Sequence, residues 1–532
     1  MVRDTSRLSK SKYDLIVVGG GINGAAIANL AAACGISVAL LEKNDFASGT
    51  SSKSTKILHG GIRYLENFEF DLVHESLKER FIQWQALPFL VRPLSFVIPV
   101  YKNDPRPLWM MKLGVWFYDI LSGKYRIGRP RSLSVAEITS MAPGINLDGL
   151  VGGVEYFDTQ MDDARLCLEN VLMADLRGAQ VANYVEVESF IKDNNQRAIG
   201  VKARDSLTGK QMDIFASKII VAAGPWGDEF IEKDVPHSVK RLRPTKGVHI
   251  VYRGEISPSA FLLQSRQDKR IFFVIPFKGN SLIGTTDTDY HQSPDNVQVE
   301  EADIQYLLQE AVRVFPNINF DRSKIITTFA GLRPLVTDKG HPSRIACSIK
   351  KFIPFAQARN LGFSFKSPKK ETEVSRKHAV ECSSSGITFV MGGKYSTYRA
   401  IAEDALGKAM PHLVSKMPYG GEYTLYGSGG SNEELKILSQ RFEVPLDLIR
   451  YLQGIYGSRF GDVLNIAQGN NQLKEKICSC SPAIAAQVVY ARDVEMAKTV
   501  EDIMERRLGL SYLDCPTRNC RRAIEEILRN HS

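Results

Sequence analysis

A glycine-rich segment near the start of the chain has the composition of a phosphate-binding turn. Residues 19–24 read Gly-Gly-Gly-Ile-Asn-Gly and directly follow the apolar run of residues 15–18. This pattern predicts a buried strand, a tight turn and a helix that begins at Asn23, and glycine lets the backbone approach a pyrophosphate. Free N–H groups at the start of such a helix bind phosphate oxygens. The candidate contacts are Gly19, Gly21, Asn23 and Gly24.

An acidic residue at the end of the next apolar run completes this pattern. Glu42 follows residues 37–41 and lies roughly 20 positions beyond the first glycine, where an acidic side chain binds a ribose hydroxyl. Glu42 and the adjacent Lys43 are therefore candidate cofactor contacts. The segment predicts a dinucleotide cofactor and leaves FAD and NAD as alternatives.

The composition is typical of a soluble globular protein. The chain has 532 residues, 44% of them apolar, and a net charge of +9. This length suits about two or three domains. The modest positive charge favours an anionic substrate or an anionic lipid surface, and no segment resembles a nucleic-acid-binding module. The amino terminus lacks the apolar region of a secretion signal.

One apolar stretch is a candidate for membrane contact. No run reaches the roughly 18–20 residues that span a bilayer. Residues 107–121 come nearest, with Trp109 and Trp116, but Lys112 and Asp119 interrupt the stretch. It is either a core helix or helical hairpin, or a surface that contacts a membrane.

The eight cysteines are scattered along the chain. Cys478 and Cys480 form one close pair, and Cys515 and Cys520 form another. Neither pair has partners at the spacing of a zinc site, so we predict no metal site and a reducing compartment.

Strands that end in glycine predict a parallel sheet assembled from distant parts of the chain. Residues 219–224 and 388–393 repeat the pattern of a buried strand that turns at glycine, and a helix follows the second from about residue 397 to 410. Between them, strand patterns at 248–252, 271–276 and 281–286 have little helix and predict an inserted, mostly antiparallel sheet.

Short motifs occur in the order found in FAD-dependent glycerol-3-phosphate dehydrogenases. The glycine segment resembles the FAD-binding start of the glutathione-reductase type rather than the nicotinamide type. The resemblance covers about residues 13–400, and residues 490–507 resemble the helical C-terminal domain of that family. The other motifs are Thr-Ser-Ser at 50–52, His-Gly-Gly-Ile-Arg-Tyr-Leu at 59–65, Asp-Asp-Ala-Arg-Leu at 162–166, Ala-Gly-Pro-Trp at 223–226, Lys-Gly-Val-His at 246–249, Ile-Gly-Thr-Thr-Asp at 283–287, Gly-Leu-Arg-Pro-Leu at 331–335, Ser-Arg-Lys-His at 375–378 and Gly-Gly-Lys-Tyr-Ser-Thr-Tyr-Arg at 392–399.

The resemblance implies an α/β fold. A Rossmann-like FAD-binding domain of the glutathione-reductase or D-amino-acid-oxidase type carries an inserted antiparallel β-sheet substrate domain and a C-terminal helical domain. We divide the chain into FAD-binding segments at 13–85, 151–235 and 386–410, a substrate or cap region with membrane contact at 86–150, the substrate sheet at 236–385 with an insertion at 337–372, and the helical domain at 411–532.

The implied reaction is oxidation of sn-glycerol 3-phosphate to dihydroxyacetone phosphate, with FAD as the cofactor and a membrane quinone as the electron acceptor. Such an enzyme is cytoplasmic and peripherally associated with the inner membrane, and a homodimer is an open alternative to a monomer. Because quinones reside in the bilayer, the enzyme has to reach the membrane surface.

The resemblance also implies roles for substrate-side residues. Arg333 and Arg376 match the family's phosphate-binding arginines, and arginine offers bidentate hydrogen bonds to a phosphate. The insertion before Arg376 makes Arg344 its rival. His249 is the candidate base for the C2 hydroxyl proton, with a sheet histidine as the alternative. The remaining substrate-side candidates, with packing as their alternative, are Arg63 and Tyr64.

Other residues are implied to hold the flavin. Lys394 lies where the third glycine strand meets a helix, so its ammonium can stabilise the negative charge that reduction adds, and with His249 and Arg333 it completes the catalytic set. His59 is either structural or a flavin contact. Further candidate cofactor contacts are Thr50, Ser51, Ser52, Gly60, Gly224, Trp226, Gly393 and Thr397.

Three other functions remain open. An oxidase with the same substrate and cofactor would pass its electrons to oxygen and produce hydrogen peroxide. A deaminating or hydroxy-acid flavoenzyme would act on carboxylates, which the two phosphate arginines disfavour. A flavin-binding sensor or scaffold would hold FAD without turning over glycerol 3-phosphate.

Overall fold

The computed structural model describes residue 1 and residues 3–337, 378–418, 432–515 and 519–531. Its strands are β1 (Tyr13–Val18), β2 (Val38–Leu41), β3 (Ile57–Leu58), β4 (Val91–Tyr101), β5 (Arg131–Leu133), β6 (Leu150–Met161), β7 (Gln180–Ala182), β8 (Val185–Lys192), β9 (Ala198–Asp205), β10 (Gln211–Val221), β11 (Leu242–Tyr252), β12 (Ala260–Gln264), β13 (Ile271–Phe277), β14 (Asn280–Gly284), β15 (Thr288–Asp289), β16 (Ile325–Val336), β17 (His378–Cys382) and β18 (Thr388–Gly392). Its helices are α1 (Ile22–Ala33), α2 (Phe70–Ala86), α3 (Leu108–Ser122), α4 (Val135–Met141), α5 (Asp163–Leu176), α6 (Gly227–Asp234), α7 (Glu301–Val314), α8 (Tyr398–Ala409), α9 (Asn432–Phe442), α10 (Leu446–Tyr456), α11 (Phe460–Ile466), α12 (Ala485–Asp493) and α13 (Cys520–Asn530).

The first sheet has the order β17-β18-β10-β1-β2-β7, and β9 and β8 extend it beside β10. The pairs β18–β10, β10–β1, β1–β2 and β2–β7 are parallel. Leu15 and Val17 pack in one core, whereas Ile16 and Val18 pack in another, because successive strand residues point to opposite faces. A parallel sheet covered on both faces explains the uninterrupted apolar run. The α/β fold expected from the sequence is confirmed.

The second sheet has the order β15-β11-β14-β13-β12-β4-β6-β3, with β16 beside β11 and β5 beside β6. It is antiparallel except where β12 and β4 run parallel. Two strands lie close to segment boundaries drawn from the sequence, β6 at 150/151 and β17 near 385/386. β6 joins the second sheet because it pairs with β4 along almost its whole length, and β17 joins the first sheet because it pairs with β18. The segments beginning at 151 and ending at 385 therefore cross between sheets.

Helix α3 forms within the apolar stretch at 107–121. Val115, Tyr118 and Ser122 on one side of α3 are buried, while Trp109 and Trp116 are exposed. The helix thus contributes to the core and also presents an apolar surface. Among the described residues, we find no helix long and apolar enough to cross a bilayer.

The helical C-terminal region is joined to the first sheet by buried ion pairs. Arg165 on α5 donates to both carboxylate oxygens of Glu495, at 2.8 and 2.9 Å, and also pairs with Glu169 at 3.1 Å. Arg459 contacts Glu169 from the C-terminal side. All four side chains are buried, so burial of each charge is offset by a partner.

The two cysteine pairs correct the sequence interpretation. Cys478 and Cys480, which precede α12, lie beside Cys515 and Cys520, at the start of α13. Their Sγ atoms all lie within 4.8 Å of one another. The expectation that neither pair has partners is wrong because the helical fold brings the pairs together.

Candidate functional site

A cavity of about 430 Å³ lies where the two sheets meet. Its walls include the turns after β1, β2, β10 and β18, and residues of β11, β13 and β16. Ligands bind outside the carboxyl ends of parallel strands, because the turns there present backbone groups and helix N-termini. The cavity therefore joins the predicted cofactor turn to the predicted substrate sheet.

The turn between β1 and α1 fits a pyrophosphate. Gly19 has a φ of +106°, and a Cβ there would lie 2.6 Å from the carbonyl oxygen of Ala222. A Cβ on Gly24 would lie 1.9 Å from the carbonyl oxygen of Gly19, so both positions require glycine. The residue that precedes the helix, Gly21, offers no side-chain cap, and the buried Asn23 Oδ1 has no hydrogen-bond partner in the part of the chain that the structure describes. These groups suit a dinucleotide.

The acidic residue after β2 lies at the cavity wall. Glu42 accepts hydrogen bonds from the N–H groups of Gly20, at 2.6 Å, and Asn44, at 2.9 Å. Burial raises the pKa of Glu42. Because both bonds come from the backbone, the carboxyl group is fixed in orientation and suits a ribose hydroxyl.

Lys43 and Trp226 face each other at the cavity edge. The Lys43 ammonium lies 4.4 Å from the centre of the Trp226 ring, and both side chains contact Asp295. Gly224 lies in the turn before Trp226 and also lines the cavity.

The Ser/Thr loop connects the cofactor turn with the second sheet. Ser51 Oγ accepts from the N–H of Ile22 at 2.9 Å, and Thr50 Oγ1 donates to the carbonyl oxygen of Leu332 at 2.7 Å. Ser52 in this loop is buried, and its Oγ has no hydrogen-bond partner among the residues that the structure describes.

Lys394 lies over an aromatic ring beside the cavity. Its Nζ is 3.7 Å from the centre of the Tyr64 ring and 3.3 Å from Ser76 Oγ. A cation over the face of an aromatic ring is stabilised by the ring quadrupole. The segment from His59 to Tyr64 also contributes to this wall, and Arg63 within it is exposed to solvent.

His249 lies on β11, almost fully buried. Its ring stacks on Phe329 with centroids 4.9 Å apart, and Nε2 lies 3.0 Å from Thr55 Oγ1. Burial, and then the positive charges of Arg333 and Lys56, lower the pKa of His249 well below its ordinary value. The imidazole is therefore neutral near pH 7 and able to accept a proton.

Arg333 on β16 has its guanidinium oriented by neighbouring oxygens. One Nη donates to Thr285 Oγ1 at 2.9 Å and the other to Asp287 Oδ1 at 3.0 Å. A Cβ on Gly247 would lie 2.6 Å from Arg333 Nη2, so the glycine makes room for this arginine. Half-buried and bordering the cavity, the guanidinium is suited to bind an anion.

The structure brings most of the sequence-derived candidates to this one cavity. Behind its walls, Gly24 packs against Gly19, the Gly60 N–H donates to Asp158, and Thr397 Oγ1 donates to the carbonyl oxygen of Lys394. Arg376, Arg344 and all but the first residue of the insertion at 337–372 lie outside the described residues. The candidates that line the cavity are Gly19, Gly21, Asn23, Glu42, Lys43, Thr50, Ser51, His59, Arg63, Tyr64, Gly224, Trp226, His249, Arg333, Gly393 and Lys394.

Sequence reasoning missed a buried ion pair under the substrate sheet. Lys56 Nζ donates to Asp163 Oδ1 at 2.6 Å and lies 5.2 Å from the centre of the Phe329 ring. Burial opposes the charge on Lys56, but Asp163 raises its pKa above the ordinary value. Lys56 lies shortly before the motif at 59–65, and Asp163 lies within the motif at 162–166. Their spacing in the sequence does not indicate that the two side chains meet.

Comparisons with known proteins cover nearly the whole chain. The family model for FAD dependent oxidoreductases matches residues 14–399, and the model for the C-terminal domain of alpha-glycerophosphate oxidase matches residues 420–531. The chain is 35% identical over 533 residues to glycerol-3-phosphate dehydrogenase of Synechocystis sp., covering 96% of this chain and 91% of the relative. It is 33% identical over 525 residues to aerobic glycerol-3-phosphate dehydrogenase of Staphylococcus aureus, covering 95% and 88%.

Solved structures agree with these matches. Glycerol-3-phosphate dehydrogenase of Bacillus halodurans, complexed with FAD, superposes with a TM-score of 0.76 and 28% identity over 98% of this chain and 91% of that chain. L-alpha-glycerophosphate oxidase of Mycoplasma pneumoniae, with FAD bound, shares the fold at a TM-score of 0.53 and 18% identity over 77% of this chain and 98% of that chain. The chain belongs to the FAD-dependent glycerol-3-phosphate dehydrogenase and oxidase family.

Proposed function

We propose that this protein oxidises sn-glycerol 3-phosphate to dihydroxyacetone phosphate and passes the electrons to a membrane quinone. The observation that carries the proposal is the meeting of a neutral His249 and Arg333 on paired strands β11 and β16, in the cavity that also holds the glycine turn. A proton acceptor, an anion-binding group and a dinucleotide cradle thus share one space. The names of the relatives supply the substrate.

Arg333 is proposed to bind the substrate phosphate. Thr285 and Asp287 already fix its guanidinium plane, so less side-chain freedom is lost when a dianion binds. A planar fork of donors matches two phosphate oxygens. We also retain Arg376 as a phosphate ligand on the strength of its motif, with Arg63 and Tyr64 on the substrate side.

His249 is proposed to accept the proton of the C2 hydroxyl. Its lowered pKa keeps the imidazole neutral, and the stack on Phe329 with the Thr55 contact fixes the ring. Among the described residues, the buried Nδ1 has no hydrogen-bond partner. Proton removal by a positioned imidazole contributes about 10²–10⁴-fold to a rate.

FAD, when bound, accepts the hydride from the substrate carbon. The glycine turn is proposed to bind its pyrophosphate and Glu42 its ribose, while the Ser/Thr loop and Trp226 complete the walls. Lys394 also lines the cavity, and its positive charge is proposed to stabilise the negative charge that reduction adds.

The exposed face of helix α3 supports the proposal that electrons pass to a membrane quinone. Trp109, Leu113, Trp116 and Ile120 are 64%, 54%, 58% and 48% exposed. Their spacing puts them on one face of the helix, opposite the buried Val115 and Tyr118. Tryptophan favours the membrane interface, and an amphipathic helix can lie in that plane. We therefore propose peripheral attachment to the cytoplasmic face of the inner membrane.

An oxygen-reducing oxidase is the second candidate, because the C-terminal model that matches residues 420–531 is described from an alpha-glycerophosphate oxidase. The decisive experiment mixes the purified holoprotein with sn-glycerol 3-phosphate without oxygen. Loss of the oxidised flavin absorbance supports the proposal, and an unchanged spectrum contradicts it. Glycerol, which lacks the phosphate, is the control. Quinone reduction without peroxide identifies a dehydrogenase, whereas peroxide formed at the rate of turnover identifies an oxidase.

A further inference from the structure

Four cysteine thiols converge in the helical C-terminal region, outside the lining of the cavity described above. Sγ separations are 2.8 Å for Cys478–Cys480, 3.2 Å for Cys480–Cys520 and 3.4 Å for Cys515–Cys520. Each of the four Sγ atoms lies within 4.8 Å of the other three. Among the described residues, this is the one group of three or more His, Cys, Asp or Glu side chains compact enough to hold a metal ion.

The Sγ separations are longer than a disulfide bond and somewhat shorter than those around a tetrahedral metal ion. A disulfide requires an S–S distance of about 2.05 Å, shorter than each of these separations, and no disulfide joins the described cysteines. Four sulfurs around one ion at about 2.3 Å are separated from one another by about 3.8 Å. The four thiols converge from three separate stretches of chain, so a central ion requires these contacts of 2.8–3.4 Å to lengthen by no more than about 1 Å.

The backbone holds the ligands on distinct elements. Cys478 and Cys480 lie on the turn before α12, with the Ile477 N–H donating to the carbonyl oxygen of Ala483 at 2.8 Å. Cys515 follows the short helical turn Leu510–Tyr512, and Cys520 is the first residue of α13. The surrounding core contains Ile477, Val488, Ile503, Leu510 and Ile524.

We propose that these four cysteines form a tetrathiolate site that binds one zinc ion. Thiolates are the ligands that zinc prefers in structural sites, and four of them leave no open position for a substrate. An oxygen-preferring cation such as Mg²⁺ is disfavoured by an all-sulfur ligand set. The site is therefore structural, and the metal holds together the chain segments next to helices α12 and α13.

The position of the site links it to the substrate sheet. Tyr512, three residues before Cys515, packs edge-on against Phe329 with ring centroids 6.1 Å apart. Phe329 in turn stacks on His249. Asn280 donates to the carbonyl oxygen of Tyr512 at 3.2 Å. A metal that fixes Cys515 thus also fixes the segment on which the histidine's support depends.

The first test is the metal content of the full-length holoprotein after purification without added metal. We expect about one zinc ion per chain, measured by elemental mass spectrometry. Iron accompanied by acid-labile sulfide overturns the single-ion site in favour of a cluster. A protein without metal, in which all four cysteines react with a thiol reagent under native conditions, overturns the site itself.

Cobalt substitution tests the ligand set without a mutation. Co²⁺ in place of zinc should give visible bands to the red of the flavin absorption, with the intensity of tetrahedral thiolate coordination. The same protein lacking those bands after cobalt uptake contradicts four sulfur ligands. Because this measurement uses the native chain, it does not depend on the folding of any variant.

Variants then locate the metal. Replacing Cys480→Ser together with Cys520→Ser should lower bound zinc to background, and a chelator should no longer shift the thermal unfolding temperature. Cys382→Ser removes an exposed thiol from β17 and is the matched control, with zinc content unchanged. Zinc retained by the double variant contradicts the assignment.

Discussion

Arg507 donates to both carboxylate oxygens of Asp45, each at 2.8 Å, and both side chains are only 1% exposed. Asp45 follows β2 by a few residues, next to the Glu42 that borders the cofactor cavity. Burial alone would raise the pKa of Asp45, but the charges of Arg507 and Arg506 lower it. The C-terminal helices therefore hold the cofactor turn in place through a bidentate ion pair.

Removing this pair is expected to destabilise the cofactor site. Arg507→Ala leaves the buried Asp45 with Arg506 as its partner, and breaking a buried pair costs about 3–5 kcal/mol. We expect a lower thermal unfolding temperature and loss of FAD on gel filtration. Arg522→Ala removes the exposed pair with Glu526 on α13 and should cost about 0–1 kcal/mol. Equal losses of thermal stability and of FAD in the two variants would contradict the role of Arg507 in holding the cofactor turn.

Gly24 is expected to tolerate no side chain. In Gly24→Ala the new Cβ meets the carbonyl oxygen of Gly19, a backbone atom that cannot move without distorting the phosphate turn. We expect the purified variant to contain little FAD, measured as the ratio of flavin to protein absorbance. Gly461→Ala on α11 is the control, because a Cβ there meets no atom within 4 Å. Full flavin occupancy in Gly24→Ala would contradict the proposed cradle.

His249 should control the acidic side of the pH profile. Because its pKa is lowered, the neutral form persists to more acidic pH than in a free histidine, whose pKa is about 6.5. We expect kcat/KM to stay level as the pH falls to about 6.5 and to decline only below it.

The matching variant is His249→Asn, which should lose about 10²–10⁴-fold in kcat while retaining FAD. His237→Asn is the control, since this histidine is exposed and its positive φ is one that asparagine also adopts. A decline of kcat/KM centred above pH 6.5 in the wild-type protein would contradict His249 as the base. An unchanged kcat in His249→Asn would contradict it too.

Arg333 should determine substrate affinity. Hydrogen bonds to a charged group contribute about 1.5–3 kcal/mol, so Arg333→Ala should raise KM for sn-glycerol 3-phosphate by about 10–100-fold. Arg333→Lys should restore little of the lost substrate affinity, because a lysine ammonium does not reproduce the planar fork of donors in a guanidinium group. Arg243→Ala on the neighbouring strand removes an exposed pair with Asp289 and is expected to leave KM unchanged. An unchanged KM in Arg333→Ala would exclude the arginine as a phosphate ligand.

The exposed face of α3 should be required at the membrane and not for chemistry. Trp109→Ser with Trp116→Ser removes two exposed rings, so we expect less protein to float with anionic liposomes. Reduction of a soluble dye by glycerol 3-phosphate should remain. Ile437→Ser removes an exposed apolar residue from α9 and serves as the control. Undiminished flotation would rule out α3 as the attachment surface.

The local parts of the fold were predictable because their signals lie within short segments. The strand, glycine turn and helix at residues 13–33 follow from an apolar run and glycine spacing, and the antiparallel strands of the inserted sheet follow from similar runs. Gly224 and Gly393 were placed at the cavity for the same reason. In each case the residues that determine the structure are close neighbours in the chain.

The long-range contacts were not predictable from spacing. Arg165 and Glu495 are 330 positions apart, and each alone is typical of a solvated helix face. Thr55 meets His249 across 194 positions. The cysteine pairs were misjudged for the same reason, since a metal-binding spacing is recognisable only when the ligands are near in sequence. Charge and thiol pairing depend on which elements the fold places side by side.

The order of strands in the first sheet also bears on how the protein is made. β18 packs beside β10 and ends at residue 392, so the parallel layer lacks that strand until most of the chain has left the ribosome. Synthesis at about 5–20 residues per second separates β1 from β18 by tens of seconds. During that interval the nascent chain exposes an apolar strand edge, and shielding by a chaperone until β18 emerges would protect it from aggregation.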